Sequence, residues 1–392
     1  MIFKRKLYDK LLVWKQQTAG TKALLIEGAR RIGKSTLVEE FAKNEYRSYL
    51  MIDFNKVSDS VISAFNNYMN DLDTFFLILS SEYGVRLYPK ESIIIFDEIQ
   101  QFPKARQAIK YLVADGRFDY IETGSLISIK ENVNDITIPS EERTLLMYPM
   151  DFEEFAWAMN EEPLMAYIRQ CFDKKVPLEQ GIHAKAMLLF RQYMIVGGMP
   201  KSLSAYLENN RNFEMADMEK RDILTLYRND IKKIKSGYRS SVLSIFDQIP
   251  AFLSRSERRV VMNRIEKGAS FPKYHDTFFW LSDSMIANEC FNCSDPNVGL
   301  SLNEDRTYVK CYMGDTGLLI SHTFDENEIS DGELYREILL GKLSVNEGMF
   351  YENVIAQMLV AAGHKLYFYT RYNQEKHRND MEIDFILSNH SK

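Results

Sequence analysis

Gly28-Ala29-Arg30-Arg31-Ile32-Gly33-Lys34-Ser35 is the segment that most clearly predicts the fold of the first part of this chain. It follows the short apolar run from Ala23 to Ile26, and apolar residues at helical spacing from Leu37 to Phe41 come after it. Its glycines allow successive backbone N–H groups to curl around phosphate oxygens, and the N-terminus of the following helix adds partial positive charge. The pattern therefore predicts a phosphate-binding loop between a buried strand and a helix.

We call residues 28–35 the phosphate loop and expect it to bind ATP with magnesium. Lys34 would reach the terminal phosphates and take part in the chemistry, while Ser35 would hold the metal ion. The residues expected to contact the nucleotide are Gly28, Ala29, Arg30, Arg31, Ile32, Gly33, Lys34, Ser35 and Thr36. The alternative is a glycine-rich turn that binds no nucleotide.

Two adjacent carboxylates, Asp97 and Glu98, end the apolar run from Ile93 to Phe96. A strand that is buried on both faces holds charge at its end, where the ligand crevice of an open parallel sheet lies. Asp97 would orient magnesium, and Glu98 would polarise the attacking water. The pair favours hydrolysis over kinase chemistry, because a hydrolase uses the second carboxylate as a general base. The alternative is two solvated charges at the start of a loop.

Hydroxyl groups follow the next apolar run, at Thr123-Gly124-Ser125. Because the carboxyl ends of parallel strands meet at one edge, Thr123 and Ser125 are predicted to be catalytic residues near the terminal phosphate. A turn that ends the strand is the alternative. An arginine that stabilises the developing charge is also expected. The candidates, among which the sequence does not choose, are Arg30, Arg31, Arg117 and Arg143.

Candidate strands alternate with helical patterns in the first part of the chain. The strands are predicted at residues 23–26, 48–54, 93–96 and 120–123, and residues 132–142 form a polar stretch typical of a loop. This alternation predicts an α/β fold with a parallel sheet and flanking helices. Helical patterns dominate from residue 155 to residue 289, and strand patterns return at residues 308–312, 366–369 and 383–387.

The composition is typical of a folded chain with more than one core. A length of 392 residues exceeds one ordinary domain, and 45% apolar with 27% charged residues excludes disordered, collagen-like and disulfide-scaffold proteins. Neither a signal peptide nor a membrane-spanning run is expected, and four cysteines indicate a reducing compartment, so we expect a cytoplasmic location. Cys290 and Cys293 lack a second pair nearby, which favours ordinary thiols over a metal or redox site.

Beyond the phosphate loop, further short segments resemble one family. The chain is similar to the bacterial AAA-type ATPases, P-loop proteins of the ASCE class, that carry a C-terminal domain of unknown function, number 4143. The resemblance covers nearly the whole chain, and the order of its segments makes it specific. In chain order they are Asp97-Glu98-Ile99-Gln100, Thr123-Gly124-Ser125, Pro149-Met150-Asp151-Phe152-Glu153-Glu154-Phe155, Val196-Gly197-Gly198-Met199-Pro200, Asp315-Thr316-Gly317-Leu318-Leu319, Asn346-Glu347-Gly348 and Glu382-Ile383-Asp384-Phe385.

This resemblance implies three domains. It implies an AAA-type ATP-binding domain in residues 1–158 and a mostly helical, winged-helix-like domain in residues 159–312. Residues 313–392 would form a small, incomplete α/β tail similar to the PD-(D/E)xK nuclease fold.

Residues 228–267 form a basic segment within the helical part. It contains ten basic and four acidic residues, a net charge of +6; the whole chain carries −6, so the remainder sums to −12. Such a segment could contact DNA phosphates, with binding that weakens as salt rises. The alternative is that these cations are solvated or meet the acidic remainder of the chain.

The tail combines a predicted helix at residues 346–362, which bears Glu352, with a hairpin that bears Glu382 and Asp384. Met349, Ile355, Ala356 and Leu359 are predicted to share the apolar face of the helix with Glu352. Alternation places Glu382, Asp384 and Ile386 on one side of the strand. The nuclease-like fold gathers carboxylates for magnesium in this way, but its third strand with an acid-x-Lys motif is not in the sequence. We therefore expect a tail that lacks its lysine and stabilises its neighbours without nuclease activity.

Three hypotheses follow for the whole chain. The first is an enzyme that hydrolyses ATP with magnesium and thereby repositions the other domains, with DNA as one candidate ligand. The second is a nucleotide-dependent switch that binds a protein partner without hydrolysis. The third is a DNA-processing protein with a nuclease-like tail. The oligomeric state is left open.

Overall fold

The computed structural model describes residues 1–125, 140–234, 237–255, 258, 260, 271–296, 299–325, 332–341, 347–373 and 378–388. The chain divides into two compact units, residues 2–148 and residues 149–392. Within the described residues, every helix is too short or too polar to span a lipid bilayer.

The first unit is a five-stranded parallel sheet with flanking helices. Its strands are β1 (Ala23–Gly28), β2 (Ser48–Asp53), β3 (Ser92–Asp97), β4 (Asp119–Gly124) and β5 (Glu142–Met147). Its helices are α1 (Leu7–Gln17), α2 (Lys34–Glu45), α3 (Asp59–Asn67), α4 (Leu72–Tyr83) and α5 (Pro103–Asp115). The strand order is β2-β3-β4-β1-β5, and every pairing is parallel. The predicted P-loop NTPase fold is confirmed.

The apolar runs of β1 and β3 are buried at every position. Continuous Ile and Leu side chains suit a strand that is covered on both faces, and such strands form the centre of parallel sheets. Phe54 and Phe65 pack edge to face against Phe96 of β3, with ring centroids 5.7 Å apart in each pair. This packing fixes the end of β3, where Asp97 lies.

Strand β5 was not predicted. Of the polar stretch at 132–142, residues 132–139 lie outside the described part of the chain, and Glu142 begins a strand rather than ending a loop. β5 pairs only with β1 among the described strands and is largely exposed, so its residues lack the apolar run that marks a central strand.

The second unit is a helical region followed by a small sheet, as predicted. Its helices are α6 (Phe152–Ala158), α7 (Glu162–Lys174), α8 (Gln180–Val196), α9 (Pro200–Glu208), α10 (Phe213–Lys232), α11 (Arg239–Leu253), α12 (Phe271–Asp283), α13 (Thr316–Thr323), α14 (Glu333–Leu340) and α15 (Gly348–Ala361). Its strands are β6 (Ala287–Cys293), β7 (Glu304–Met313), β8 (Leu366–Asn373) and β9 (Arg378–Ile386). The sheet order is β7-β6-β8-β9, so strands from both sides of residue 312 share one sheet.

Two expectations for this unit were wrong. Strand β6 was not predicted and begins within the part of the chain where helical patterns were expected, because Asn288, Glu289 and Asn292 interrupt its apolar pattern. On α15, Ile355 is exposed rather than on the buried face. That face contains polar residues with specific partners instead: Asn353 accepts from Met313 N–H at 2.8 Å and Gln357 accepts from Thr316 N–H at 2.9 Å.

Three of the segments that carry the family resemblance meet in the core of this unit. Gly198 N–H donates to Asp315 Oδ2 at 2.5 Å. A Cβ atom at Gly198 would lie 2.2 Å from the carbonyl oxygen of Met150, and one at Gly197 would lie 2.4 Å from Asp315 Oδ1. Glycine is therefore required at both positions, and these segments serve packing within residues 149–392.

Candidate active site

The phosphate loop joins β1 to α2 as predicted. Arg31 and Gly33 both have positive φ, 71° and 92°, and α2 begins at Lys34. A Cβ atom at Gly28 would lie 2.3 Å from the carbonyl oxygen of Met147 at the end of β5, so a side chain is excluded there. The loop thus curls at the carboxyl edge of the sheet with the N-terminus of α2 behind it, the arrangement that binds phosphate.

Side chains of the loop face in two directions. Ala29 and Ile32 are buried and anchor the loop to the core, so their contribution to a nucleotide would come from the backbone. Arg30, Arg31 and Thr36 are exposed.

The Lys34 ammonium lies inside the curl of the loop. It donates to the carbonyl oxygens of Gly28 and Ala29, each at 2.9 Å, and the side chain is 6% exposed. Burial lowers the pKa of Lys34 to about 8, against the opposing effect of the Glu98 and Asp97 carboxylates. A phosphate that accepts from this ammonium would favour its charged form.

Asp97 connects three elements of the site. Its Oδ1 atom accepts a hydrogen bond from Ser35 Oγ at 2.7 Å and another from the hydroxyl of Thr123. Thr123 reaches Asp97 because β4 lies between β1 and β3 in the sheet. A hydroxyl and a carboxylate side by side are the oxygen ligands that magnesium prefers, so these residues fit the metal ion that the sequence predicts.

Glu98 leaves β3 in a left-handed backbone conformation, with φ 55° and ψ 48°. This conformation costs a residue with a Cβ atom about 1–2 kcal/mol. The Glu98 N–H donates to Thr123 Oγ1 at 3.3 Å, and the carboxylate accepts from the side-chain amide of Gln100. The sequence pattern predicted Glu98 at this edge, but it indicated no chemical role for Gln100.

Ser125 follows the end of β4 and is partly buried. Its predicted catalytic role stays a prediction, whereas Thr123 lies in contact with Asp97.

The four arginine candidates lie at different edges of the sheet. Arg117 precedes β4 and pairs with Asp115 at 2.8 Å and Asp73 at 2.6 Å, while Arg143 pairs in register with Leu24 near the start of β1. Both are therefore at the amino edge, and a six-residue strand spans about 17 Å. Arg30 and Arg31 are the candidates at the phosphate loop.

Arg5 supports the loop and was not identified from the sequence. Its guanidinium donates to the carbonyl oxygens of Ile32 at 3.0 Å and Tyr148 at 2.6 Å. A lone arginine ahead of α1 carries no local motif, so nothing in the sequence marks this contact.

The acidic residues of the tail surround a lysine that was predicted to be missing. Lys310 of β7 is fully buried, and its ammonium lies 3.1 Å from Glu352, 3.3 Å from Glu382 and 3.0 Å from Asp384. Arg258 and the hydroxyl of Tyr312 also contact Glu352. The expectation that these carboxylates lack a lysine was therefore wrong. Lys310 lies before the predicted tail, on a strand that precedes the helix in the chain, where an acid-x-Lys pattern after Asp384 could not reveal it.

Several cationic side chains of the basic segment have partners within residues 149–392. Arg228 pairs with Asp247 at 3.0 Å and Asp325 at 2.8 Å, and Arg239 donates to the carbonyl oxygen of Ile234 at 2.8 Å. Lys232 and Lys233 are exposed, and Lys233 pairs with Asp230. Lys235, Arg259, Arg264 and Lys267 lie outside the described residues. DNA contact through this segment stays a prediction.

Comparisons with known proteins agree with the fold of the first unit. Residues 20–156 match the family model of the AAA domain, and residues 187–328 match a domain of unknown function, DUF8612. A domain of unknown function was expected beyond the AAA domain and is found, but the predicted number 4143 was wrong.

Likenesses to solved structures are remote. The Holliday junction branch migration motor RuvB of Thermotoga maritima is 12% identical, with a TM-score of 0.30 over 73% of this chain and 89% of that chain. AMPPCP-bound DnaA from Aquifex aeolicus is 12% identical, with a TM-score of 0.27 over 72% and 90%. Cdc6p from Pyrobaculum aerophilum is 11% identical, with a TM-score of 0.28 over 86% and 93%.

No curated protein matches the chain. Residues 20–156 match the AAA domain in sequence, and their phosphate loop has the strand–loop–helix geometry of a P-loop NTPase.

Proposed function

We propose that the first unit binds ATP with magnesium and hydrolyses it, and that this cycle changes the state of the second unit. The observation that carries the proposal is the contact of Ser35 and Thr123 with Asp97, at the edge where Lys34 and Glu98 also lie. These groups come from a loop and two strands, and their proximity supports a phosphate-transfer site.

Each residue would act through its own chemistry. Backbone N–H groups of the phosphate loop would donate to phosphate oxygens, and the Lys34 ammonium would move from the loop carbonyls to the terminal phosphates. Ser35 and Asp97 would hold magnesium, which neutralises charge on the phosphates when bound. Glu98 would accept a proton from the attacking water.

Phosphate release from ATP by the purified chain tests this proposal. Lys34→Ala should lose nucleotide binding, which a fluorescent ATP analogue measures. Glu98→Gln should still bind ATP, but its rate of ATP turnover should fall by about 100-fold or more. Lys43→Ala on the same helix and Glu91→Gln near the start of β3 are matched controls, because both side chains are about half exposed and pair at the surface.

The same measurements separate hydrolysis from the nucleotide-dependent switch. Tight ATP binding without phosphate release, in the presence of magnesium, would favour the switch. If Lys34→Ala keeps both nucleotide binding and turnover, that result would contradict the hydrolysis proposal and the switch alike.

A further inference from the structure

Gln100 contacts the proposed general base directly. Its side chain is buried, 6% exposed, and its Nε2 atom donates a hydrogen bond to Glu98 Oε2. The contact is local: both residues belong to the short 3-10 turn after β3, and Gln101 N–H closes that turn on the Glu98 carbonyl at 3.0 Å.

The turn fixes the direction of this hydrogen bond. Glu98 is in the left-handed region, where its N–H points to Thr123 Oγ1. Thr123 is fully buried and donates its own hydroxyl proton to Asp97. The backbone of Glu98 is therefore held through Thr123 to Asp97, which is proposed to hold magnesium with Ser35, and the Gln100 amide holds the Glu98 side chain.

An amide suits this task chemically. It donates to a carboxylate without carrying charge, so it orients the group without forming an ion pair that would compete with a proton. A hydrogen bond to one carboxylate oxygen sets the rotation of the group, and so also sets the position of the other oxygen, Oε1.

We propose that Gln100 is a positioning residue for Glu98 in ATP hydrolysis. This inference rests on the proposed function. Gln100 orients the carboxylate towards the attacking water and does not itself touch the nucleotide, so its loss acts on turnover and leaves nucleotide affinity in place.

A double-mutant cycle tests the proposal. The chains to compare are the unchanged protein, Gln100→Met, Glu98→Gln and the double variant; Met keeps the volume and removes the donor. Gln100→Met should lower kcat by about 10- to 100-fold, as a misplaced reacting group does, with KM for ATP within about twofold of its original value. In the Glu98→Gln background the same change should have no further effect, because the two residues act as one unit.

Two further variants sharpen the result. Gln100→Glu keeps the size of the side chain but places a second carboxylate against that of Glu98. Its kcat should therefore be lower than that of Gln100→Met. Gln101→Met, an exposed neighbour in the same turn, should keep full activity. Binding of a fluorescent ATP analogue confirms that each variant retains a folded site.

Three results would overturn the inference. They are an unchanged or raised kcat in Gln100→Met, an equal loss from that change in both backgrounds, and a change confined to KM. The first of these, with normal turnover in the unchanged protein, would leave ATP hydrolysis standing and remove the role of Gln100 alone. An unchanged protein without turnover would remove both.

Discussion

Ser35 Oγ donates a hydrogen bond to Asp97 Oδ1 at 2.7 Å, across 62 residues of sequence. The first residue opens α2 and the second ends β3, so the contact joins the phosphate loop to the neighbouring acidic strand end. Each depends on the other for its role: the hydroxyl and the carboxylate together form the oxygen pair proposed to hold magnesium.

Asp97→Asn should raise the magnesium concentration needed for half-maximal ATP turnover by about 10- to 100-fold. The amide oxygen can still accept from Ser35, but it lacks the charge that attracts the cation. Turnover measured against magnesium concentration checks this. Asp53→Asn, at the paired position that ends β2, is the control and should leave the magnesium requirement unchanged.

Gly28→Ala should destabilise the first unit by about 1–3 kcal/mol and weaken nucleotide binding. The added methyl group would lie 2.3 Å from a backbone oxygen of β5, which cannot swing aside as a side chain would. Urea unfolding and nucleotide titration measure the two effects. Gly237→Ala, where a Cβ atom meets nothing within 4 Å, should be neutral; an equal loss in both variants would contradict the steric argument.

Glu122 should make the stability of the first unit fall as pH rises. It is fully buried, and burial beside Glu142 raises its pKa well above the ordinary 4.5. Arg106 is the cation beside both, and it pairs with Glu142 at 2.8 Å. The folded state therefore holds a proton that the unfolded state releases, so stability is greatest below the unfolded pKa and is lost as pH rises towards the folded pKa.

Unfolding by urea between about pH 5 and pH 8 measures this dependence, since Glu is ionised in the unfolded chain over that range. Glu122→Gln should be less sensitive to pH than the unchanged protein over the same range. Glu91→Gln, an exposed residue paired with Arg47, should keep the original dependence. An unaltered slope in Glu122→Gln would show that Glu122 is already ionised when folded.

Lys310→Met should destabilise the second unit by about 3 kcal/mol, because it leaves Glu352 buried beside two more carboxylates, with Arg258 as its other cationic contact among the described residues. Lys365→Met removes an exposed partner of the largely buried Glu304 side chain, which keeps Arg306 at 2.7 Å, and should cost less than about 1 kcal/mol. Similar losses in the two variants would contradict the structural role of Lys310.

The local patterns of the chain predicted most elements and the main site residues. The phosphate loop, the strands at residues 23–28 and 92–97 and the hydroxyl after β4 have local signatures, because glycine spacing and continuous apolar runs follow from the backbone geometry they adopt. Strands β5 and β6 have weak signatures: one is largely exposed, and polar residues interrupt the other.

Contacts between distant residues could not be predicted in this way. Arg5 at the phosphate loop and Lys310 among the tail carboxylates depend on which segments the sheet places side by side. The strand order β7-β6-β8-β9 brings Lys310 to Asp384 from an earlier part of the chain, so no pattern downstream of Asp384 indicates this lysine.

Spacing within short segments was enough to predict the phosphate loop, the acidic strand end and the helical region before a small sheet. Which side chains meet follows only from the packed fold. Whether Asp97 contacts Ser35 and Thr123, how Gln100 holds Glu98, and which cation neutralises Glu352 depend on strand order and burial, since charges and hydroxyls bind whatever partner the packed fold brings within reach.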